Sequence, residues 1–340
     1  MMRKLSIGQR LIIFGTLALI ALIVSSSLGL MIGSVEVPLA ELWNLIQGSG
    51  PVSDTTRTIV MGLRGPRVLL GMLVGASLSL AGCGFQGIMR NPLADPYIVG
   101  TSAGASLGAT LAIVLRLPSP AEWISPVPAF AFLGALGAML IVYQLSKVGS
   151  SVPMETFLLA GVVVGSFAGA MVSFLMTLAE RDLHSVVTWL MGSLSQADIH
   201  MVYLVLPYMA IGGIAMIILA PALNIISMGE ESASSLGLNV ERLKISVIAI
   251  ASLITAAAVA ASGLIGFLGL FIPHIVRMIV GPDHRLLLPI SALGGAAFLV
   301  LADLLARTMF APRELPVGVL TALIGAPFFF WLLHGRRKLS

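Results

Sequence analysis

The sequence predicts an all-α polytopic membrane protein with ten transmembrane helices. Of its 340 residues, 58% are hydrophobic and 10% are charged, a composition far from that of soluble domains. Nine stretches of at least 17 residues contain no Asp, Glu, Lys or Arg, and a helix of about 20 apolar residues crosses the hydrocarbon core of a bilayer. Because these stretches are too long and too uniformly apolar for barrel strands, we expect a helical bundle.

The first half of the chain supplies five of these spans. The first apolar stretch, 11–35, is interpreted as a membrane anchor, because its 25 residues exceed the apolar core of about 7 to 15 residues in a signal peptide. Later spans carry glycines four residues apart, which line one helix face and favour close packing. A smooth wall along which helices move during transport is the alternative interpretation. These glycines are Gly71 and Gly75, then Gly100, Gly104 and Gly108, then Gly161, Gly165 and Gly169.

The second half requires one more span than the apolar stretches give. Nine spans would place the two basic ends on opposite sides of the membrane, against the positive-inside rule. The stretch 245–276 contains Gly263, Gly266, Gly269 and Pro273, which predict a break in its middle. With ten spans, 12 of the 19 basic residues lie on the cytoplasmic side and 7 outside, whereas nine spans give 9 and 10.

We therefore expect a single transmembrane domain, 1–340, with both termini in the cytoplasm. The predicted spans are 11–32, 66–89, 97–115, 124–146, 156–178, 199–220, 244–262, 266–280, 286–306 and 315–334.

Several function classes are disfavoured by what the sequence lacks. No Asp, Glu, Lys or Arg lies deep in a span, which weighs against a proton- or ion-coupled carrier, although a carrier coupled through backbone carbonyls remains the alternative. Asp303 and Arg307 lie four residues apart near the outer end of a span and are expected to pair. The single cysteine, Cys83, excludes an internal disulfide, and zinc-protease, serine-hydrolase and phosphate-binding-loop motifs are absent. The net charge of +4 indicates orientation, and no nucleic-acid role is expected.

One polar segment, Met228–Lys244, interrupts the apolar second half on the predicted cytoplasmic side. Ser227 and Glu230 fit a capping box, Gly237 fits a helix end, and Asn239 fits the cap of the following helix. The pattern predicts a helix of about two turns along the membrane surface, too short to be stable without a partner. An ordinary cytoplasmic loop is the alternative. The apolar side chains that the helix offers for contact are Ala233, Leu236 and Leu238.

Eight segments, spread in order over nearly the whole chain, resemble the FecCD-type permeases. These segments are LRGPRVL at 63–69, NPLADPYIVGTSAGA at 91–105, WLMGSLS at 189–195, GEESASSLGLNV at 229–240, GLIGFLGLFIPHIVR at 263–277, GPDHRLLLP at 281–289, LADLLAR at 301–307 and ELPVGVLTALIGAPFFFWLL at 314–333. Proteins of this family are the membrane subunits of type II ABC importers for iron-siderophores, haem and cobalamin.

The resemblance implies a BtuC-like permease fold and a set of partners. It implies a homodimer, or a heterodimer with a close paralogue, in a bacterial or archaeal cytoplasmic membrane. Two ATP-binding cassette subunits would bind ATP and Mg on the cytoplasmic side, so this chain would hold no cofactor and have no ATPase activity of its own. A substrate-binding protein would deliver the cargo from outside, and alternating access would pass it inward.

The resemblance also assigns residues to these partners. Segment 228–238 resembles the coupling helix that docks on the ATPase. Near the outer surface, Arg64, Arg67 and Arg307 match the arginines that hold acidic residues of the binding protein, with snorkelling, or pairing with Asp303, as the alternatives. The expected ATPase contacts are Glu230, Glu231, Ser234, Leu236 and Gly237.

Asn91 and Leu93 match the residues that narrow the cytoplasmic exit, and the stretch 149–153 is expected to form the other half of this gate. Arg313 is a further candidate for docking, without a motif. His184 and Arg181 are candidates for cargo contact, although an exposed helix surface is the favoured explanation for both. Iron chelates are the favoured cargo, then cobalamin or haem, and similar permeases also carry oxyanions such as molybdate.

Overall fold

The computed structural model describes residues 6–119, 125–149, 151–179 and 181–337, and within them the chain is helical without a β-strand. Arg3, Lys4 and Lys338, which contribute to the predicted orientation, lie outside the described residues. The helices are α1 Ile7–Met31, α2 Leu39–Gln47, α3 Asp54–Arg57, α4 Gly65–Ile88, α5 Thr101–Val114, α6 Pro126–Ser146, α7 Met154–Leu178, α8 Leu183–Leu190, α9 Ile199–Ile218, α10 Ala220–Ile226, α11 Glu230–Ser235, α12 Val240–Ser262, α13 Leu268–Val280, α14 His284–Thr308 and α15 Val317–Arg337.

The number of apolar helices agrees with the predicted ten. Seven helical segments of the described residues are long and apolar enough to cross a membrane. Three shorter apolar helices, Thr101–Val114, Leu268–Val280 and Val317–Leu332, complete the set. The seven long segments are Ile7–Met31, Asp54–Ile88, Pro126–Ser146, Met154–Leu178, Ile199–Ile218, Val240–Ser262 and His284–Thr308.

The predicted break in the seventh apolar stretch is present. Helix α12 ends at Ser262 and α13 begins at Leu268. Gly263 has a φ of +67°, and a Cβ atom there would collide with the carbonyl oxygen of Trp189. Only glycine combines this backbone conformation with such a close approach, so the sequence fixes the end of α12 at this point.

Polar caps fix the starts of several helices. Ser6 accepts a hydrogen bond from the backbone N–H of Gln9 and forms a reciprocal capping box at α1. Asn239 accepts from the N–H of Arg242 at the start of α12, as the sequence predicts. Because the first N–H groups of a helix have no partner inside it, these side chains satisfy donors that would otherwise face the edge of the membrane.

Helix α4 lies at the centre of the bundle, and α1 lies at its edge. In the most apolar window of the α4 span 83% of residues are buried, whereas in α1 only 6% are. Helix α4 contacts α9, α12, α13 and α14. The exposed apolar side chains of α1 are therefore suited to contact lipid, because lipid tails are as apolar as these side chains.

Close helix packing explains part of the glycine spacing. A Cβ atom on Gly104 would collide with the carbonyl oxygen of Gly134 in α6, and one on Gly108 would collide with that of Phe130. These two glycines let the backbones of α5 and α6 approach each other directly. Gly169 in α7 has no such neighbour within 4 Å. The packing interpretation is therefore confirmed for α5, and it does not explain the third glycine of α7.

Candidate functional site

The polar segment between α10 and α12 folds as a short surface helix. Helix α11 spans Glu230–Ser235, between Gly229 at a φ of +114° and Gly237 at +84°. Backbone bonds from the N–H of Gly237 to Ser234 and from that of Leu238 to Ala233 close its end. The two glycines supply positive φ angles, which side chains disfavour, so the helix is held between two sharp turns.

The start of α11 differs from the predicted capping box. The Ser227 hydroxyl donates to the carbonyl of Asn224 at 2.6 Å, and Gly229 occupies the N-cap position without a side-chain bond. The prediction that Ser227 and Glu230 cap each other is therefore wrong. Ser227 extends the end of α10, since a hydroxyl bonded to a carbonyl three residues back satisfies a helix end.

The side chains of α11 divide between the body of the protein and the outer surface. Ala233 is fully buried, so the prediction that it is available to a partner is wrong. Leu236 is 65% exposed and Met228 is 67% exposed, which places two large apolar side chains at the surface. Glu231, Ser234 and Gly237 are also exposed. An open groove adjoins them, lined by Glu230, Glu231, Ser234, Gly237, Leu238, Asn239, Val240 and Glu241.

Glu230 pairs with a buried lysine, while its own side chain stays 39% exposed. Its Oε2 lies 2.7 Å from the Nζ atom of Lys244, whose side chain is only 3% exposed. Glu241 approaches the same Nζ atom at 3.2 Å. Sequence reasoning missed this cluster, and the only signal for it was the i, i+3 spacing of Glu241 and Lys244, which does not reveal burial.

The second predicted functional segment, Asn91–Asp95, is a series of tight turns after α4. Asn91 Oδ1 accepts from the N–H of Leu93 at 2.9 Å, and Asp95 accepts from the N–H of Tyr97 at 2.8 Å to begin a short 3-10 helix, Pro96–Val99. Asn91 is exposed and Leu93 is half-buried. Asp95 is half-buried, and burial raises its pKa to about 6.

The stretch 149–153 contains another turn, in which Ser150 lies outside the described residues. Val148 and Ser151 exchange two backbone hydrogen bonds of 3.0 and 3.1 Å. The following N–H, of Val152, donates to Glu241 at 2.9 Å. This turn is thus attached to the same glutamate that contacts Lys244.

The three candidate docking arginines lie together, and each is engaged within the chain. Arg64 is 6% exposed and donates to the carbonyls of Leu30 and Met31 at 2.9 Å. Arg307 donates to the carbonyl of Gly29, on the same end of α1. Arg67 belongs to a separate ion-pair cluster beside them. Their role in docking stays a prediction.

The predicted pair of Asp303 and Arg307 is wrong. Asp303 instead accepts three hydrogen bonds of 2.8 to 3.1 Å from Arg67, and Arg67 also contacts Glu314 at 2.8 Å. The guanidinium fork of Arg67 matches both carboxylate oxygens, whereas Arg307 lies along α1. Arg313, the further docking candidate, is exposed.

The cargo candidates lie near an open cavity of about 370 Å³. His184 on α8 lines it together with Trp189 and Ser193, and Arg181 is exposed beside α8. The described residues contain no group of three His, Cys, Asp or Glu side chains that could hold a metal ion. The polar lining of this cavity consists of hydroxyl groups, the Gln196 amide, the Trp189 indole and the His184 imidazole, all of which can form hydrogen bonds.

Comparison with known proteins identifies close similarities over most of the chain. The pattern of the FecCD transport family matches residues 18–335. The cobalamin import system permease protein BtuC of Halobacterium salinarum is 47% identical over 285 residues, which cover 84% of this chain and 76% of that protein. The hemin transport system permease protein HmuU of Yersinia pestis is 39% identical over 317 residues, with 90% of each chain covered.

A solved structure has a similar fold over nearly the whole chain. It is described as an inward-facing conformation of a metal-chelate type ABC transporter, and it matches with a TM-score of 0.84 and 31% identity. The match covers 95% of this chain and 99% of that chain.

Proposed function

Because this chain belongs to the FecCD transport family, a family of ABC transporter permeases, we propose that it is the membrane subunit of an ATP-driven importer of a metal chelate. It would receive the cargo from an extracytoplasmic binding protein and release it into the cytoplasm. The permease itself is a multi-pass membrane protein and not an enzyme.

The observation that carries the proposal is the surface of α11. It presents Leu236 and Met228, both about two thirds exposed, next to the exposed carboxylate of Glu231. An apolar anchor beside a charged rim is the typical composition of a protein interface. We propose that this surface docks on an ATP-binding subunit, which binds ATP and Mg and supplies the driving force, while this chain holds no resident cofactor.

The contact made by Glu230 distinguishes it from the other residues that are predicted to dock on the ATP-binding subunit. Its carboxylate is bonded to Lys244, so its role is to hold α11 in place. We assign direct contact with the ATP-binding subunit to Glu231, Ser234, Leu236 and Gly237, which are exposed.

Cargo passes by alternating access, driven by two ATP-binding subunits beneath two permease copies, or beneath one copy and a close paralogue. In this mechanism Asn91 and Leu93 narrow the cytoplasmic exit, and the turn from Val148 to Ser151 lies opposite. Hydrogen bonds join Asn91 to Leu93 in the first segment and Val148 to Ser151 in the second.

On the outer side, the arginine cluster is the surface proposed to receive the binding protein. Arg67 pairs with Asp303 and Glu314, whereas Arg64 and Arg307 donate hydrogen bonds to backbone carbonyls at the end of α1, so three positive charges lie beside two negative ones. Positive charge attracts acidic lobes of a binding protein. Both termini would lie in the cytoplasm of a bacterial or archaeal cell.

The cargo is assigned to the class of large metal chelates. Relatives named for cobalamin and hemin are 47% and 39% identical to this chain. Cobalamin is therefore the first cargo to test, followed by hemin and ferric siderophores.

The experiment is ATPase stimulation in nanodiscs that contain the full chain and a separately purified ATP-binding subunit. The unmodified chain is expected to increase ATP hydrolysis, and Leu236→Asp is expected to abolish the increase because it places a charge in the apolar centre of the interface. Leu183→Asp is the matched control, since Leu183 is exposed on α8, away from this surface.

Two outcomes would contradict the proposal. Full stimulation by Leu236→Asp would remove α11 from the interface. Cargo uptake by the chain alone, dependent on an ion gradient, would favour the alternative, an ion-coupled secondary transporter.

A further inference from the structure

We propose that Lys244 is a positioning residue that joins α11 to the turn preceding α7, so that a displacement of α11 reaches the cytoplasmic turns of the bundle. The inference rests on the proposed function, because it takes α11 as the surface on which the ATP-binding subunit acts. It adds a specific mechanical connection inside this chain.

The first step is the burial of the Lys244 ammonium group. Its side chain is 3% exposed, and Nζ lies 2.7 Å from Glu230 and 3.2 Å from Glu241. A charge removed from water is costly unless it is paired and hydrogen-bonded. Lys244 and Glu241 both belong to α12, whereas Glu230 belongs to α11, so the pair of Lys244 with Glu230 joins the two helices.

The second step is the double role of Glu241. One oxygen, Oε1, contacts Lys244, and the other, Oε2, accepts the N–H of Val152 at 2.9 Å. Val152 is 1% exposed and stands two residues before α7. Both oxygens of one carboxylate are thus occupied, and the Glu241 side chain bridges α12 to the backbone before α7.

The third step extends the connection from α7 to the Asn91–Asp95 segment. Helix α7 packs on the 3-10 helix Pro96–Val99, where Gly161 lies directly against the carbonyl of Ile98. A side chain at Gly161 would collide with that carbonyl, so the two backbones are in contact. Movement of α7 therefore presses on the helix that follows the predicted gate segment.

Burial explains why this connection transmits displacement. If α11 moved away from Lys244, the ammonium group would lose its shorter ion pair, and only Glu241 would remain to compensate its charge. Moving α11, Lys244 and Glu241 together avoids that loss. Because spatial continuity alone does not demonstrate coupling, the test must measure a response at the far end.

The experiment uses the full chain in nanodiscs with the ATP-binding subunit and a reporter, Ser151→Cys, in the turn before α7. The native Cys83 is buried, so a charged maleimide reports on the turn. Labelling rates are measured without nucleotide and with a non-hydrolysable ATP analogue. We expect a difference of about tenfold when Lys244 is present, within the range typical of coupled sites.

In Lys244→Met the difference is expected to fall below about twofold, measured at a concentration of the ATP-binding subunit that saturates its binding to the variant. Lys244→Arg is expected to retain most of the difference, because guanidinium can bond both carboxylates. Lys147→Met is the matched control, since Lys147 is an exposed lysine close to the same turn. A merely structural role of Lys244 would lower complex formation and stimulation together with the labelling difference.

Retention of the nucleotide-dependent difference in Lys244→Met would overturn the inference and leave the proposed function intact. If Lys244→Met does not assemble, Glu241→Ala decides: loss of the difference supports the connection, and its retention overturns it. Failure of the unmodified chain to bind the ATP-binding subunit would refute the proposed function, and the inference with it.

Discussion

Replacement of Asp303 by asparagine tests whether the ion pair with Arg67 holds the outer end of the bundle together. The side chains of Arg67 and Asp303 are 11% and 7% exposed, and three hydrogen bonds join them. Asparagine keeps the shape of the side chain and removes its charge. Removing one partner of a buried pair costs about 3 to 5 kcal/mol. Because Glu314 still contacts Arg67, we expect a loss near the lower limit, about 3 kcal/mol.

The assay is reversible unfolding in mixed detergent micelles, with Asp182→Asn as the control. Asp182 pairs with Arg116 at 3.0 Å, but the Arg116 side chain is 58% exposed, so this loss is expected to stay under about 1 kcal/mol. A double-mutant cycle with Arg67→Gln separates the pair energy from effects on each residue alone. Equal losses for Asp303→Asn and Asp182→Asn, or no coupling in the cycle, would refute the role of the buried pair.

Two further predictions concern packing and pH. Gly104→Val is expected to destabilise the protein by about 1 to 3 kcal/mol, because the valine side chain would collide with the backbone of α6. The control, Gly137→Ala, lies at a site with no neighbour within 4 Å and is expected to be neutral or stabilising. The unfolding midpoints of the two variants test this prediction. Burial raises the pKa of Asp95 to about 6, so its protonated form is favoured in the folded state, and its contribution to stability falls as pH rises from about 4 through 6. Asp95→Asn is expected to remove this dependence of stability on pH. The measurement compares the unfolding midpoints of the variant and the unmodified chain at pH values from about 4 to 6. The same pH dependence in both proteins would contradict the burial argument.

The membrane architecture followed from the sequence because charge and apolar length act locally. Ten spans required only the two basic ends and the glycine-rich break after Ser262, and the structure ends α12 at that residue. The cap at Asn239 was predictable for the same reason, since its partner lies three residues away. Local chemistry therefore determines where helices begin and end in this chain.

The site was less predictable because its contacts join distant parts of the chain. Asp303 has Arg307 four residues away, yet it binds Arg67, 236 residues earlier, because packing of α14 on α4 brings that fork to both oxygens. The motif identified the segment around α11 as the predicted coupling segment, but it did not show that Glu230 pairs with Lys244. The contact with Lys244, which no local spacing reveals, distinguishes Glu230 from the exposed residues Glu231 and Leu236.

Cargo uptake into liposomes tests the central claim of an ATP-driven permease most directly. The vesicles contain the full chain with or without the ATP-binding subunit, and radiolabelled cobalamin is supplied with its binding protein. We predict uptake only when the ATP-binding subunit is present and ATP is supplied on the side of the membrane that carries this subunit. Leu236→Asp is predicted to abolish the uptake. Uptake at the full rate by the chain alone, dependent on an ion gradient and indifferent to ATP, would contradict the account.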